Sequence, residues 1–462
     1  MRTETITAIA SAMTNSGIGI IRVSGDESIS VVNKIFRNKN NKNTLMNSLS
    51  HTVHYGFIYD GNELIDEVLV VVMKSPNSYT TEDTVEIDCH GGILVMNRIL
   101  ETIIKNGARL AEPGEFTKRA FLNGRIDLSK AEAVIDVINS QNEFSLKSSI
   151  NQLNGSLTKT IQDVRQDILF EIAFIESALD DPEHISLNGY NNRLQDKVNY
   201  ILNKIEQLLT TFHNGKMLKE GINTVIVGKP NAGKSSLLNR LVGEEKAIVT
   251  NIAGTTRDVL EESIILNGIQ LNIFDTAGIC FSDDEVEKIG VQKAKKCAVN
   301  ADLIIYIVDS TSELDEKDEE IIDLIKEKNK IILLNKIDLD SILTETSIKN
   351  KFCLSDKDII IKTSIKQNIG IESLVDKIKD LFFYGDISFN NEVYITNLRH
   401  KEAIDDCYES LKLVKKSIKD KMSEDFYSID LMNAYTSLGY VIGEEVGEDL
   451  VNEIFSKFCM GK

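Results

Sequence analysis

A chain of 462 residues is too long for one hydrophobic core, so two or three domains are expected. With 71 acidic against 52 basic residues, the formal net charge of -19 excludes a general nucleic-acid binder, and any RNA contact must come through a local basic patch or a partner. No window is apolar for long enough to span a bilayer, the start MRTETITAIASAMTNSG lacks the regions of a secretory leader, and Cys89, Cys280, Cys297, Cys353, Cys407 and Cys459 form no CxxC pair. No membrane association, disulfide framework or structural zinc is therefore expected, and the location expected is cytoplasmic.

Residues 1–124 mix short alternating runs with Gly and Asn turns. GIGIIRVSG (17–25), EVLVVVMKS (67–75) and DTVEIDCHGG (83–92) read as strands, and GGILVMNRILETIIKNG (91–107) reads as a helix ended by Gly107. This is a small α+β module. From Asp127, an expected N-cap, the period becomes helical: Leu128, Ala131, Ile135 and Ile138 recur at helical spacing, as do Ile168, Ile172, Ile175 and Leu179. Residues 125–220 form the first part of a helical domain.

GINTVIVGKPNAGKSSLLNRLVG (221–243) then opens a strand, a Gly-rich loop and a helix. Strand-like runs recur at LNIFDTAG, LIIYIVD, KIILLNKID and IIIKTS with helical text between them. That alternation predicts a mostly parallel sheet with helices on both faces over 221–385. Helical text returns over 386–462, where Val446, Leu450, Ile454 and Phe458 line one face of a helix. The fold class expected is thus multidomain: an α+β N-terminal domain, a discontinuous helical domain and an α/β P-loop domain inserted into it.

GKPNAGKS (228–235) fits the P-loop pattern, with backbone N–H groups of Asn231, Ala232, Gly233, Lys234, Ser235 and Ser236 placed to cradle phosphate. Lys234 would reach the β- and γ-phosphates, and Ser235 would ligate Mg²⁺. DTAG (Asp275, Thr276, Ala277, Gly278) ends a strand; Asp275 would hold Mg²⁺ through water, and the Gly278 N–H would touch the γ-phosphate. In NKID, which supplies Asn335, Lys336 and Asp338, the Asp338 carboxylate can accept two hydrogen bonds from a guanine edge that adenine cannot offer. Ser364, Ile365 and Lys366 stand where a guanine-supporting loop belongs. TNIAGTTRD supplies Thr250, Asn251, Ile252, Ala253, Gly254, Thr255 and Thr256, with Thr256 completing the Mg²⁺ coordination when a γ-phosphate is present. Small GTPases place a glutamine after DxxG to orient the attacking water; Ile279 stands there and cannot do so. DDEVEKIG (283–290) offers carboxylates, each of which is equally a solvated helix face.

These residues carry a resemblance. GKPNAGKSSLLNRL, AIVTNIAGTTRDVL, DTAGI with DEVEKIGV, PGEFTKRAFLNGRIDLSKAEAVIDVI (113–138), GIGIIRVSG and the terminal FCMGK together make the chain similar, over its full length, to the MnmE (TrmE) family of tRNA-modification GTPases. The resemblance implies a tetrahydrofolate-binding N-terminal domain that drives homodimerisation, a helical domain and an inserted G domain. It implies a partner similar to the FAD-containing protein MnmG, two of each in a heterotetramer, with FAD carried only by the partner. Together they add an aminomethyl or carboxymethylaminomethyl group to C5 of the tRNA wobble uridine, taking a one-carbon unit from 5-formyltetrahydrofolate or methylene-tetrahydrofolate.

By the same resemblance K⁺ is held by Asn231, Thr250, Ile252 and Thr255, Glu287 orients the attacking water, and folate is bound by Arg22, Glu86, Arg125 and Lys462. Cys280 stands where family members often carry arginine. GTP hydrolysis becomes a conformational switch. In the tail, Cys459 is four residues from the end, but Gly461 and Lys462 do not suit a prenyl transferase. The tail is expected to reach the folate pocket, with Cys459 a candidate participant in tRNA modification. The alternative is a ribosome-assembly GTPase, which a basic tail or an RNA-binding domain would favour, and neither is found. A folate carrier with a regulatory G domain is a weaker third reading.

Overall fold

The structure is a computed structural model and describes residues 4–244, 260–266, 268–274, 301–326, 328–355, 358–383, 393–444 and 446–461. The chain forms two compact units, Met1–Ile135 with Gln152–Val198 and Asp406–Lys462, and Asp136–Asn151 with Asn199–Asp405.

In the first unit the strands are β1 (Ile6–Ile9), β2 (Ser16–Ser24), β3 (Phe36–Arg37), β4 (Thr52–Asp60), β5 (Glu63–Met73), β6 (Thr84–Gly91) and β7 (Arg109–Leu110). They form one sheet in the order β3-β4-β5-β6-β2-β1-β7, antiparallel except for the β1–β7 pair. Alternation in β5 turns Val68, Val70 and Val72 inward and leaves Leu69 exposed. Helices α1 (Ser28–Ile35) and α2 (Ile93–Lys105) cover that inner face with Val32 and Ile35, and with Met96, Ile99 and Ile103. Each such side chain contributes about 1.5–3 kcal/mol on burial. At the β1 end, Ile6 and Ala8 pack with Ala111 and Phe116, the latter on α3 (Glu115–Leu122).

Helices α4 (Leu128–Asn139), α5 (Glu143–Leu153), α6 (Ser156–Asp180) and α7 (Tyr190–Glu220) follow. Asp127 caps α4 as expected, accepting from the Lys130 N–H at 2.9 Å.

The second unit holds β8 (Ile222–Gly228), α8 (Lys234–Glu244), β9 (Leu260–Leu266), β10 (Ile269–Phe274), β11 (Leu303–Asp309), α9 (Glu316–Ile325), β12 (Lys330–Asn335), α10 (Glu345–Lys351), β13 (Ile359–Lys362) and α11 (Ile371–Phe382). The sheet runs β13-β12-β11-β8-β10-β9 and is parallel apart from β9. It is apolar on both faces: Ile226, Ile305 and Leu333 meet α8 and α11, whereas Val225, Tyr306 and Leu334 meet α9 and α10. The 136–151 segment belongs to this unit, tied by Lys219 to Asp136 at 2.8 Å and by Gln270 to Gln141 at 2.9 Å.

The C-terminal helices are α12 (Leu398–Lys419), α13 (Glu424–Ile442) and α14 (Glu448–Ser456). In the first unit α13 lies along α6, where the Arg165 guanidinium stacks over Tyr435 and pairs with Glu444 at 2.6 Å. The buried stripe of α14 is Val451 and Phe455, continued by Phe458; Leu450 is half-buried and Val446 precedes the helix. Val446, Ile454 and Phe458 of the stripe read in the sequence pack in the same cluster, and Val451 and Phe455 widen it. Among the described residues no helix is long and apolar enough to cross a membrane.

Candidate functional site

Two constellations stand out. The first lies at the carboxyl ends of β8, β11 and β12, where loops of a parallel sheet converge on ligands. The loop after β8 runs from Lys229 to Gly233 and feeds directly into α8. Gly233 has φ 117°, and a Cβ there would lie 2.4 Å from Asn335 Nδ2, so only glycine lets β12 approach the loop this closely. Asn231 adopts φ 61°, a left-handed conformation that asparagine tolerates. The Lys234 ammonium donates to the Gly228 and Lys229 carbonyls at 2.7 and 2.9 Å, closing the loop over its own root. Ser235 and Ser236 are exposed at the start of α8.

Asn335 joins the phosphate loop to the base-side loop. Its amide donates to the Ala232 carbonyl at 2.8 Å, and its Oδ1 accepts from the Ile365 N–H at 3.2 Å. The Ser364 hydroxyl donates to Asp338 Oδ1 at 2.7 Å, fixing a carboxylate that is otherwise exposed. Ile365 turns its side chain into the core beneath Gly233 and leaves only its backbone at the site. Lys366 is exposed. Lys336 pairs with Asp309 at 2.5 Å. Burial alone would raise the Asp309 carboxyl, but hydrogen bonds from Lys336 and Thr311 hold it below its ordinary value.

Lys229 escaped notice in the sequence although it lies inside the motif. Its ammonium meets the buried Asp318 carboxylate at 2.7 Å and Asp315 at 3.2 Å. Burial opposes its charge, and these two acids more than restore it, raising its pKa. Asp318 also accepts from the buried Tyr306 hydroxyl at 2.7 Å and completes the capping box of α9. The lone tyrosine in the apolar run LIIYIVD was the available signal. This clamp fixes the root of the loop whose carbonyls hold Lys234.

Thr250, Asn251, Ile252, Ala253, Gly254, Thr255, Thr256, Asp275, Thr276, Ala277, Gly278, Ile279, Cys280 and Glu287 lie outside the described residues, as does Lys462. Of the expected Mg²⁺ ligands only Ser235, and of the expected K⁺ ligands only Asn231, is described.

The second constellation surrounds Arg22 in the first unit. Arg22 and Glu86 are cross-strand neighbours on β2 and β6 and pair at 2.7 Å. The Arg22 guanidinium also donates to the Gly461 carbonyl at 3.0 Å and lies 5.5 and 5.6 Å from the rings of Tyr79 and Phe116. Arg125 lies 4.9 Å from the opposite partner, the Tyr79 ring, and donates to the Tyr79 carbonyl at 3.2 Å. The tail is therefore anchored. Gly461 has φ 87°, and a Cβ there would come within 2.4 Å of the Ile9 carbonyl, while the Cys459 carbonyl accepts from the Gly114 N–H at 3.3 Å. Cys459 itself is exposed. Tyr79, Phe116 and the Gly461 carbonyl had no sequence signal, because each depends on a contact across the fold.

A family model described as the MnmE helical domain matches residues 128–459, and one described as the GTP-binding protein TrmE N-terminus matches residues 5–125. Curated proteins named tRNA modification GTPase MnmE are similar end to end. That of Lachnoclostridium phytofermentans is 55% identical over 462 residues, covering 100% of both chains, and that of Acetivibrio thermocellus is 47% identical over 461 residues, covering 99% of both. That of Clostridioides difficile is 46% identical over 459 residues, again covering 99% of both. With both family models and full-length relatives agreeing, the chain belongs to the MnmE (TrmE) family.

Proposed function

We propose that the chain binds and hydrolyses GTP and uses that hydrolysis as a conformational switch in tRNA modification. The observation that carries this reading is Asn335, which ties the phosphate loop at Ala232 to the base-side loop at Ile365, so that one residue spans both ends of a nucleotide. In this reading the N–H groups of the loop and α8 bind phosphate, Lys234 turns from the loop carbonyls to the β- and γ-phosphates, and Asp338, oriented by Ser364, reads guanine. Ser235 suits Mg²⁺ because a hydroxyl at the start of a P-loop helix is a hard oxygen donor; Thr256 is its proposed second ligand. Asn231, Thr250, Ile252 and Thr255 hold K⁺, which supplies positive charge beside the phosphates. Glu287 orients water where Ile279 cannot.

The finer reading follows the family. A flavoprotein partner carries FAD, two copies of each chain assemble, and the N-terminal domain makes the homodimer in the cytoplasm. The reaction places an aminomethyl or carboxymethylaminomethyl group on C5 of the wobble uridine. Folate, as 5-formyltetrahydrofolate or methylene-tetrahydrofolate, binds at Arg22, Glu86, Arg125 and Lys462, with Cys459 nearby. The Arg22 corner offers an arginine–carboxylate pair flanked by Tyr79 and Phe116, a donor and acceptor set suited to a pterin between aromatic rings. Domain limits at 124/125, 220/221 and 385/386 belong to the same proposal.

Turnover measured in K⁺ and in Na⁺ tests the switch. Glu287→Ala is expected to keep GTP binding and lose most of the turnover; unchanged turnover in K⁺ removes that role. Calorimetric titration with 5-formyltetrahydrofolate, beside Arg22→Ala, tests the folate site. An intact chain that binds no folate and whose loss leaves wobble uridines unaltered would return the reading to a ribosome-assembly GTPase.

A further inference from the structure

The net charge of -19 forbids a general attraction to RNA, so a tRNA-handling chain of this composition needs a local exception. The last two turns of α12 and the turn after them read KLVKKSIKDK (412–421), five lysines against one aspartate. Cys407, Leu411, Val414 and Ile418 form the buried stripe of this helix. Lys412, Lys415, Lys416 and Lys419 recur three and four apart on the opposite, exposed face, within about 10 Å along the axis. Lys412 pairs with Glu409 at 2.7 Å and sits 4.5 Å from the Tyr408 ring. The side chains of Lys415, Lys416, Lys419 and Lys421 make no ion pair or hydrogen bond among the described residues. The next carboxylates, Glu424 and Asp425, occupy the first turn of α13, where they complement that helix's own dipole.

This arrangement works against the helix. The pairs 412/415, 412/416, 415/419 and 416/419 are like charges at helical contact spacing, each costing about 0.2–0.5 kcal/mol. The dipole at the helix C-terminus offsets this for Lys416 and Lys419 in the last turn, but not for Lys412 and Lys415. A stripe kept at that cost, on a strongly acidic chain, points to a polyanion.

We propose that this lysine face is a docking surface for the sugar–phosphate backbone of tRNA. The inference rests on the tRNA reading above and adds the surface that makes the contact. Lysines without arginine partners suit backbone contact, which positions the nucleic acid without reading its sequence.

The test is binding of the full-length chain to an unmodified tRNA transcript over a salt series, beside the quadruple variant Lys412→Gln, Lys415→Gln, Lys416→Gln, Lys419→Gln. The variant is expected to bind at least about tenfold more weakly, and the slope of log affinity against log salt is expected to fall by about 3, since each phosphate contact contributes roughly 0.7–0.9. The quadruple arginine variant is expected to keep both. Thermal melting and GDP binding check folding; if the quadruple variant unfolds, the Lys415→Gln, Lys419→Gln pair is expected to show about half the slope change. A slope and affinity matching the parent overturn the proposal and leave the stripe to an acidic protein partner. A parent that binds no tRNA at any salt also overturns the docking surface and leaves the contact to the partner, whereas the tRNA reading itself falls only if loss of the chain leaves wobble uridines unaltered.

Discussion

At the carboxyl ends of β8 and β12 the site is assembled from short contiguous runs: 228–236, 335–338 and 364–366. Around Arg22 it is assembled from single residues at 22, 79, 86, 116, 125 and 461, none adjacent in sequence to another. The reason lies in the two sheets. A parallel sheet sends every connection back over its faces, so each loop at its carboxyl edge is one uninterrupted stretch that carries a whole function. The antiparallel sheet of the first unit presents its face instead, and a site on a face draws one residue from each strand and whatever packs over it. Backbone groups do much of the assembling in the first case. In the second, side chains and the Gly461 carbonyl do it.

That contrast predicts that single substitutions in the nucleotide site have large, separable effects on the ligand and none on distant packing. The largest is expected for Asp338→Asn. It removes a carboxylate held by Ser364, and GTP should bind on the order of 100- to 1000-fold more weakly, the loss of two charge-assisted hydrogen bonds. Xanthosine triphosphate, whose C2 carbonyl can accept from the new amide, should recover much of that loss in competition assays. Unchanged preference between the two nucleotides would remove Asp338 from base recognition. Next is Lys234→Ala, expected to weaken GTP and GDP alike by about 100-fold in titration, with a smaller loss of melting temperature from the bonds to the Gly228 and Lys229 carbonyls.

On the other side of the comparison, the first unit should respond to acid through one knot of charges. Glu115 is buried; burial alone would raise its carboxyl, but Arg109, the Glu112 N–H and Arg119 pull it down to about 2 from an ordinary 4.5. The folded chain thus binds this proton less readily than the unfolded one. The stabilisation is complete above about pH 4.5 and is lost as pH falls toward 2, a contribution on the order of 2–3 kcal/mol. Urea midpoints followed from neutral pH down to about pH 3 should fall more steeply for the parent than for Glu115→Gln. Parallel curves would place the acid sensitivity elsewhere.

The same contrast explains what could be read in advance. The P-loop, NKID and the strands of the parallel sheet were legible because their meaning is local: Gly233 must be glycine where Asn335 crowds it, and a strand buried on both faces is an apolar run such as LIIYIVD. The Asp127 cap was legible for the same reason. Lys229 carries no local sign of its role because its partner, Asp318, is nearly ninety positions on. The stripe of α14 was legible in part: Val446, Ile454 and Phe458 pack as their spacing implies, whereas Val451 and Phe455 are buried by a wider contact that a single row of residues does not announce. Arg22 and Glu86 follow from the family resemblance alone. No period or spacing announces that residues 22 and 86 are cross-strand partners, or that Gly461 will lie against Ile9.

The smallest effect tests whether the tail belongs to the Arg22 corner or merely rests beside it. Arg22 is the one side chain among the described residues that joins the sheet to the Gly461 carbonyl, and Arg22→Met keeps the aliphatic stem while removing the donor. The loss should amount to about 1–2 kcal/mol for the tail, since Gly461 remains seated against Ile9 and the Cys459 carbonyl still accepts from Gly114. That converts to roughly five- to thirtyfold more opening of the last residues, read as faster carboxypeptidase trimming or faster amide exchange at 458–461. Nucleotide affinity should not move at all. Gly461→Ala, which drives a Cβ into the Ile9 carbonyl at a left-handed position, should release the tail further than Arg22→Met does. If both variants trim at the parental rate, the tail is held by Phe455 and Phe458 alone, and the Arg22 guanidinium serves only Glu86.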